Sequence, residues 1–518
     1  MFDKRTCRRE HRAPFAAAVR RWRLAHGCAP PHPPPPDASP GDDAASADAA
    51  AASMTHGDDD DDAAAAVPRG TAAFVRKRPF FAAEASRGEF DTVSVPRCGG
   101  RSVTVHVALM KPDLRHMFTR HVTFGGATAF SERAPDAAVF AAAAAPLLRA
   151  ALRGAPAALF MFGQTGSGKT HTMAALEALS AQTLLPGSDT APASAALRVW
   201  YVELSGKRVR CLLSGADVTL RDADKDTAAV ELAGATCAAV RSAAELAALL
   251  AAGRARRHVS ATAANATSSR SHAALRLALP GRGGSVTLVD CAGSERREDS
   301  ARHDAAQRRE GAEINASLYA LKQCLRARNR AAAAATAGDR AGAAAAWQPH
   351  VHVPYRSSSL TRLLAEALTD GGAALAVVGT LSPAAADAEH SLATLAAVAE
   401  LASSSAAAAS FAEEREDVPA GLHVDDDGSV RDASVARLVP PVQWRPAELR
   451  AWLAGVQGGA FAAAAGAAPD WLAGRDVARM GAPALASMLC GGDAAKGAAL
   501  HAAFRDAVAR AAAAKAAK

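Results

Sequence analysis

The sequence predicts an α/β fold for the centre of the chain, and two observations support that prediction. From Thr71 to about Leu401, strand-like apolar segments alternate with helical ones, as a sheet flanked by helices requires. Within this stretch, the apolar run 157–162 ends at the glycine-rich loop 163–170, as a buried parallel strand should. A helical pattern then continues to Leu185.

The loop 163–170 matches the complete pattern G-x-x-x-x-G-K-[ST]. Its glycines let the backbone curl so that N–H groups point inward at phosphates, and the dipole of the following helix faces the same phosphates. Lys169 offers a charge to the β- and γ-phosphates, and Thr170 offers a hydroxyl to Mg²⁺. We therefore predict a nucleoside triphosphate site rather than an unrelated glycine-rich turn. The loop residues predicted to contact the nucleotide are Gly163, Gln164, Thr165, Gly166, Ser167, Gly168, Lys169 and Thr170.

Two further motifs have the residue types that such a site needs. The apolar strand 286–289 is followed by Asp-Cys-Ala-Gly, so that Asp290 can hold the Mg²⁺ shell and Gly293 can approach a γ-phosphate. Residues 265–272 read Asn-Ala-Thr-Ser-Ser-Arg-Ser-His, and small hydroxyls beside an arginine suit a mobile loop at the γ-phosphate. Alone, the second motif would fit an ordinary polar surface loop. Paired with the glycine-rich loop, the Asp-x-x-Gly motif is a strong signal.

The composition limits the class of protein. The chain of 518 residues is long enough for about two to four domains. Its net charge of +7 suits an acidic polymer partner such as tubulin or nucleic acid, although the charge is spread along the chain. The eight cysteines form no CxxC pair and no metal-binding spacing, so we expect reduced thiols in a cytosolic protein. No apolar run suits a membrane span, so no membrane partner is predicted.

The segments on both sides of the α/β domain, which we place at residues 69–402, differ from it in composition. Residues 1–68 combine an arginine-rich start with a proline run and an acidic run, and we predict a disordered tail. A transit peptide is the alternative for the start, but Asp3 and Glu10 disfavour it. Residues 403–438 are rich in serine, alanine and acidic residues, and they are predicted to be a linker.

The last segment, residues 439–512, returns to a helical pattern. It holds three of the six tryptophans, Trp444, Trp452 and Trp471, and so predicts a small separate core. The segment loosely resembles a SAM domain, a module that self-associates or binds protein partners. An unrelated small helical bundle is the alternative.

Three motifs occur in the order found in the kinesin motor domain and resemble it: the loop 163–170, N-x-x-S-S-R-S-H at 265–272, and D-x-x-G-S-E at 290–295. Shorter similar stretches are 75–79, 201–204, 313–318, 353–356 and 381–383. The resemblance covers about residues 71–401 and implies the P-loop NTPase kinesin motor fold, a central, mostly parallel sheet flanked by helices. It also implies ATP and Mg²⁺ as ligands, ATP hydrolysis as the reaction and microtubules as the partner, with no nucleic acid expected.

The resemblance implies roles for individual residues. Four would frame the adenine: Arg76, Arg78, Pro79 and His171. Three would hold Mg²⁺ directly or through water: Thr170, Ser269 and Asp290. Lys169 would neutralise the phosphates, and Gly293 would sense the γ-phosphate. A salt bridge between Arg270 and Glu295 would close the site, with Ser268 positioning the attacking water and Glu295 relaying its proton.

Two stretches are similar to kinesin-13, the microtubule-depolymerising, internal-motor family. Lys111-Pro112-Asp113-Leu114 stands where that family carries Lys-Val-Asp-Leu in an extended loop, and Arg308–Asn315 is similar to its R-M-E-G-A-E-I-N. An ordinary surface loop at 106–120 is the alternative. The implied tubulin contacts are Lys111, Asp113, Lys322, Arg326 and Arg356. Ser359 and Gln323 depart from the family, replacing a lysine and a glutamate of its tubulin-facing surface.

We therefore predict an ATP-dependent microtubule motor, most similar to a depolymerase that acts at filament ends. The alternatives are a translocating kinesin and a non-motile, nucleotide-dependent microtubule-binding adaptor. No long heptad run follows Leu401, which disfavours a coiled-coil stalk and therefore a two-headed walker. The expected location is the cytoplasmic microtubule cytoskeleton, including the spindle or a cilium.

Overall fold

The computed structural model describes most of the chain. The described residues are 4–28, 70–96, 100–111, 116–185, 196–223, 228–262, 270–281, 284–293, 305–340, 352–402, 410–419, 422–424, 430–432, 441–456 and 460–516. Four predicted site residues lie outside these ranges: Asp113, Ser268, Ser269 and Glu295. None of the helices within the ranges is both long enough and apolar enough to span a bilayer.

The strands form two sheets and one short hairpin. In chain order they are β1 (Thr71–Lys77), β2 (Val93–Ser94), β3 (Ser102–Met110), β4 (Met117–Gly125), β5 (Thr128–Phe130), β6 (Pro156–Phe162), β7 (Leu197–Ser205), β8 (Arg208–Cys211), β9 (Asp217–Asp222), β10 (Val230–Ala233), β11 (Ala238–Val240), β12 (His272–Ala278), β13 (Ser285–Asp290), β14 (Ala374–Leu381), β15 (Ser410–Val418), β16 (Leu422–Val424) and β17 (Val430–Asp432).

The helices occur before, between and after these strands. In chain order they are α1 (Lys4–Glu10), α2 (Arg12–Ala25), α3 (Ala82–Ser86), α4 (Asp136–Val139), α5 (Ala145–Leu152), α6 (Lys169–Leu184), α7 (Ala243–Thr262), α8 (Ala305–Arg340), α9 (Ser359–Leu363), α10 (Ala365–Thr369), α11 (Ala388–Leu401), α12 (Pro446–Gly455), α13 (Ala462–Ala467), α14 (Gly474–Val477), α15 (Ala482–Leu489) and α16 (Ala494–Ala516). A π-helical turn, Phe140–Ala144, joins α4 to α5, and short 3₁₀ turns cover Tyr355–Ser357, Ala385–Asp387 and Pro441–Gln443.

The central sheet has the strand order β10-β9-β8-β7-β12-β13-β6-β14-β1-β5, with β11 paired to β7. Parallel pairing joins β13, β6, β14, β1 and β5. On the other side of β13, every pair is antiparallel, from β13 with β12 outward to β9 with β10. The pair of β11 with β7 is antiparallel as well. Every residue of β6 and of β14 is buried, as expected for strands covered on both faces. The structure confirms the predicted α/β fold, and its parallel half is the half that carries the glycine-rich loop.

Alternate side chains of β6 pack on opposite faces of the central sheet. Phe160 and Phe162 belong to a core that includes residues of α8 and α11. Leu159 and Met161 belong to the core on the other face, which includes residues of α5 and α6. The apolar run in the sequence therefore serves both cores, and it leads the chain to the carboxyl edge of the parallel strands, where ligands of α/β proteins bind.

A separate four-stranded sheet has the order β15-β4-β3-β2. β3 and β4 form a nine-residue antiparallel hairpin that ends at Lys111 and His116. β15 pairs with β4 along its whole length, from Ser410 opposite Gly125 to Val418 opposite Met117. The prediction of a linker over 403–438 is therefore wrong for 410–418, because the acidic residues of this segment meet partners on the hairpin and on α2.

The prediction of a disordered tail over 1–68 is also wrong in part. Residues 4–25 form α1 and α2, and α2 buries Phe15, Val19 and Trp22, which recur at the spacing of one helical face. The arginines that suggested a basic tail are partly internal, since Arg8 and Arg23 are almost completely buried. The rest of the predicted tail, residues 1–3 and 29–68, lies outside the described residues.

The helices α12 to α16 enclose a small core of their own. Trp444 lies against Trp452 and Phe504, and Leu485 and Leu500 are fully buried with them. Trp471 differs from the other two tryptophans, because 59% of its surface is exposed. The helical character expected for 439–512 is therefore seen in the described residues, while its likeness to a SAM domain stays a prediction.

Candidate functional site

The glycine-rich loop connects the end of β6 to the start of α6 in a compact turn. Gly168 adopts the left-handed conformation, with φ of +98°, and precedes the first residue of α6. A Cβ atom on Gly163 would lie 2.5 Å from both Ser167 Oγ and Thr380 Oγ1, so only glycine fits there. The loop thus brings its backbone close to β14 and directs the N-terminus of α6 into the site.

Lys169 is held over the loop rather than extended into solvent. Its side chain is buried, and Nζ donates hydrogen bonds to the carbonyl oxygens of Gly163 at 2.8 Å and Gln164 at 2.9 Å. An ammonium group in this position lies within the turn that the sequence assigns to the phosphates. Phosphate oxygens would be stronger acceptors for it than the two carbonyls.

Asp290 and Thr170 are brought together at the carboxyl ends of neighbouring strands. Asp290 ends β13, which pairs in parallel with β6, and Thr170 Oγ1 donates to Asp290 Oδ2 at 2.9 Å. Asp290 Oδ1 is buried and has no hydrogen-bond partner among the residues that the structure describes. A hydroxyl and a carboxylate with an uncommitted oxygen are the hard oxygen donors that Mg²⁺ prefers, so these residues fit the predicted ion. Ser269, the third predicted ligand, lies outside the described ranges.

Arg257 is a buried member of this site that sequence reasoning missed. From α7, its Nη1 donates to Asp290 Oδ2 at 3.1 Å and its Nη2 to the carbonyl of Ser271 at 2.7 Å. Arg257 therefore joins Ser271, just before β12, to Asp290, the predicted Mg²⁺ ligand. In the sequence it stands beside Arg256 in a basic stretch that resembles a solvated helix surface, and no local pattern distinguishes it.

His272 connects three elements at the start of β12. Its Nδ1 accepts a hydrogen bond from the backbone N–H of Ala292 at 3.0 Å, and its Nε2 lies 2.7 Å from Ser317 Oγ of α8. The Ser317 hydroxyl donates its hydrogen bond to the carbonyl of Ile314, so it can only accept from His272, and Nε2 of His272 carries the hydrogen. Burial, followed by nearby cations, lowers the pKa of His272 to about 3. A neutral imidazole thus ties β12 and the loop after β13 to α8.

The predicted closing salt bridge is not seen in the described residues. Arg270 Nη1 lies 3.3 Å from Glu310 Oε2 of α8. Its predicted partner Glu295 lies outside the described ranges, as does Ser268, and the roles assigned to both stay predictions. Gly293 is buried three residues after Asp290, and its contact with a γ-phosphate stays a prediction.

The four residues expected around the adenine lie near the loop and the start of α6. Arg78 Nε donates to the carbonyl of Gly166 at 2.7 Å, and its guanidinium pairs with Glu84 of α3. Arg76 donates to Thr172 of α6 at 3.1 Å and pairs with Asp136 at 2.5 Å. Pro79 and His171 are exposed. The arginines therefore brace the loop, and contact of all four residues with a base stays a prediction.

The cations predicted to contact tubulin are paired within the chain. Lys322 and Arg326 of α8 each lie 3.1 Å from Glu400 Oε2 of α11. Arg356 lies 3.1 Å from Asp222, and Lys111 lies 3.3 Å from Asp417 of β15. All four have exposed or half-exposed side chains, and a tubulin carboxylate would compete with these internal partners. Asp113 lies outside the described ranges.

A parallel strand, a glycine-rich turn with a buried lysine, and a neighbouring Asp290 that ends β13 together define a P-loop nucleoside triphosphatase. Residues 76–402 match the kinesin motor domain family, and the chain belongs to the kinesins, a family of microtubule motors whose motor domains bind ATP with Mg²⁺ and hydrolyse it. A kinesin-like protein of Mus musculus, KIF24, is 31% identical over 334 residues. That match covers 62% of this chain but only 23% of the mouse protein.

Proposed function

We propose that this chain is an ATP-driven microtubule depolymerase that acts at filament ends. The observation that carries the proposal is the long β3–β4 hairpin, whose nine-residue strands lead to Lys111, the first residue of the Lys-Pro-Asp-Leu sequence. A hairpin of this length reaches about 30 Å at 3.3 Å per residue. A cation at the end of such a hairpin is suited to meet an acidic polymer surface.

The described residues also support the hydrolytic half of the proposal. Lys169 would neutralise the phosphates from within the loop, and the N-terminus of α6 would add its dipole. Thr170 and Asp290 would hold Mg²⁺, which when bound offsets the negative charge of the phosphates. Ser268 and Glu295 would position the attacking water and accept its proton, as the resemblance to kinesins implies.

The link between the phosphate site and the polymer would run through His272. If Gly293 contacts the γ-phosphate, as the resemblance to kinesins implies, loss of that phosphate would change the loop 291–293, and Ala292 of that loop is hydrogen-bonded to His272. Because His272 also contacts Ser317 of α8, a change at Ala292 would bias the helix that carries Lys322 and Arg326. An element that two sites contact at once is the physical requirement for coupling them.

A sedimentation experiment with the full chain tests the proposal. Stabilised microtubules mixed with the protein and ATP should release soluble tubulin, whereas the same mixture without nucleotide should not. The double variant Lys111→Ala/Asp113→Ala should lower the release about tenfold or more while ATP hydrolysis without microtubules persists, since neither residue belongs to the predicted nucleotide site.

Arg153→Ala is the matched control, because Arg153 is an exposed cation that precedes β6 at the opposite edge of the sheet. Its removal should leave the release unchanged. ATP-dependent binding without release would favour the adaptor alternative, and filament gliding would favour a translocating kinesin.

We also propose that the module formed by α12 to α16 mediates self-association or binds a protein partner. Its separate core and the exposed Trp471 support this role. Sedimentation velocity of the full chain should show concentration-dependent association that Trp471→Ala weakens. A strict monomer that no partner shifts would count against it.

A further inference from the structure

The β3–β4 hairpin is not part of the central sheet that carries the nucleotide site. It belongs to the four-stranded sheet, so the backbone hydrogen bonds of the central sheet do not fix its direction. Val103, Val105 and Val107 of β3 pack into one core of the motor domain. Further contacts come from the two segments expected to be unstructured, α1 with α2, and β15.

Arg8 of α1 joins the hairpin to the body of the motor domain. Its Nε donates to the carbonyl of Ala108 in β3 at 3.0 Å, and its Nη1 donates to the carbonyl of Ala385 at 2.8 Å. The same guanidinium forms a bidentate pair with Glu389 in the first turn of α11, at 2.8 and 2.5 Å. Only 2% of Arg8 is exposed, so these bonds are made away from water, where they are strongest.

Arg23 of α2 connects the four-stranded sheet to the strand that leads to the nucleotide site. It donates to Ser94 Oγ of β2 at 2.7 Å and lies 3.0 Å from Asp91. Asp91 also accepts from Lys77 Nζ at 2.7 Å, and Lys77 is the last residue of β1. Arg78, the next residue, donates a hydrogen bond to the carbonyl of Gly166 in the glycine-rich loop. The chain of contacts therefore runs from α2 to the phosphate loop.

Trp22 and two histidines join α2 to both strands of the hairpin and to β15. The Trp22 ring stacks on His121 of β4, and its Nε1 donates to Glu414 of β15 at 3.1 Å. His121 Nδ1 lies 2.7 Å from His106 Nδ1 of β3, and His121 Nε2 lies 3.0 Å from Glu416. A hydrogen on His121 Nε2 for Glu416 leaves its Nδ1 as the acceptor from His106, so both ring nitrogens of His121 have partners.

β15 completes the support on the side of the hairpin away from β3. Arg120 of β4 forms a bidentate pair with Glu413 at 2.7 and 2.6 Å. Arg21 of α2 pairs with Glu416, so that α2 and β15 hold each other as well as the hairpin. Asp417 lies 3.3 Å from Lys111, the residue at which the tip begins.

We propose that α1, α2 and β15 form a clamp that sets the direction of the β3–β4 hairpin and thereby positions its tip on tubulin. The inference rests on the proposed depolymerase function and adds the positioning residues Arg8, Trp22 and Glu414. The clamp contacts the hairpin at its centre, through His106 and His121, and close to its tip, through Ala108 and Lys111. Because these contacts lie so close to the tip, the loss of a single one should change how the tip is placed.

The test compares Arg8→Ala and Trp22→Phe with the control Arg12→Ala in the full chain. Arg12 is an exposed cation at the start of α2, so its loss leaves the clamp intact. Trp22→Phe keeps an aromatic ring next to His121 but removes the bond to Glu414 and part of the buried ring, and this milder change keeps the test informative if Arg8→Ala fails to fold. Hydrogen exchange in β3 and β4, tubulin release, and ATP hydrolysis without microtubules are measured for each.

Trp22→Phe should speed exchange in the hairpin about threefold and lower tubulin release by a similar factor. Arg8→Ala should have effects of about tenfold or more, and neither variant should change basal hydrolysis more than about twofold. Unchanged hairpin exchange, or equal losses in basal hydrolysis and release, would overturn the clamp.

Failure of the proposed function has a different signature. A native protein that releases no tubulin contradicts depolymerisation, yet the clamp would still be supported if the variants loosen the hairpin and weaken microtubule binding. Loosening of the hairpin without any change in binding or release would reject the positioning role.

Discussion

The parallel strands of the central sheet and the four-stranded sheet differ in the contacts that hold them in place. β6 and β14 are wholly buried between two apolar cores, and parallel backbone pairing fixes their register. The four-stranded sheet adds side chains such as Val105 and Phe124 to one of these cores, and it is also held by the buried Arg8 and Arg23 and by the pair of His106 and His121. Apolar burial changes little with pH or charge, whereas buried ions and imidazoles respond to both. We therefore expect β6 and β14 to respond less to pH than the hairpin.

The largest effect should come from Lys169, in the loop that follows β6. Lys169→Ala removes the charge that the loop places on the phosphates, and we expect ATP hydrolysis to fall by about a thousandfold or more. Because the cores around β6 are untouched, the melting temperature should change little. A coupled ATPase assay and calorimetry on the same preparation measure both quantities. Near-native hydrolysis would contradict the role given to Lys169.

We expect the phosphate site to affect α8 through His272, and the loss of this residue should uncouple the two. His272→Ala removes hydrogen bonds to Ala292 and Ser317 together. We expect the ratio of microtubule-stimulated to basal ATP hydrolysis to fall about tenfold, the effect of about 1.4 kcal/mol in coupling. His501→Ala, in the C-terminal module, is the control. An unchanged ratio would mean that α8 responds to the nucleotide by another route.

Acid should loosen the four-stranded sheet before the centre of the parallel sheet. Burial lowers the pKa of His106 well below its ordinary value, and Arg23, His121, Lys77 and His26 lower it further. Below about pH 6.5 the folded form then binds fewer protons than the unfolded form, so this stability is present above that pH and is lost as the pH falls. Protection of the β3 and β4 amides, corrected for intrinsic exchange, should fall by up to about tenfold per pH unit.

The amides of β6 provide the internal reference for this measurement, because all seven residues of that strand are apolar. The carboxylates facing the histidines do not confuse the result. Burial alone would raise the pKa values of Asp91 and Glu416, but their cationic and imidazole partners hold both below the ordinary range. Both therefore stay charged in this window. A His106→Gln variant should lessen the pH dependence, and equal dependence in β6 and β3 would reject the contrast between the sheets.

The smallest effect concerns the surface that we predict to contact tubulin. Glu400 pairs with both Lys322 and Arg326, and all three side chains are partly exposed to solvent. Glu400→Gln frees these cations for tubulin carboxylates, and we expect microtubule affinity to rise about threefold at low salt, in line with the worth of exposed ion pairs. Co-sedimentation at several salt concentrations measures it, with Glu231→Gln as a control for net charge. Equal gains in both variants would show a general charge effect only.

Local chemistry explains which parts could be predicted from the sequence. Lys169, Thr170 and Asp290 stand in short patterns whose residue types have fixed physical roles, and the structure brings these three together. Arg8, Arg23 and Arg257 could not be predicted, because a buried arginine looks like a surface one until its partners are known. Glu416 stands in an acidic stretch typical of a linker, and its partner His121 lies 295 residues earlier in the chain.

The central claim is that ATP hydrolysis at the loop of Lys169 drives the removal of tubulin from filament ends. Fluorescence microscopy of single stabilised microtubules in the presence of the full chain tests it most directly. With ATP, the filaments should shorten steadily from both ends, and Lys169→Ala should leave their length constant. Filaments that glide without shortening, or that keep their length while the protein hydrolyses ATP on them, would contradict the account.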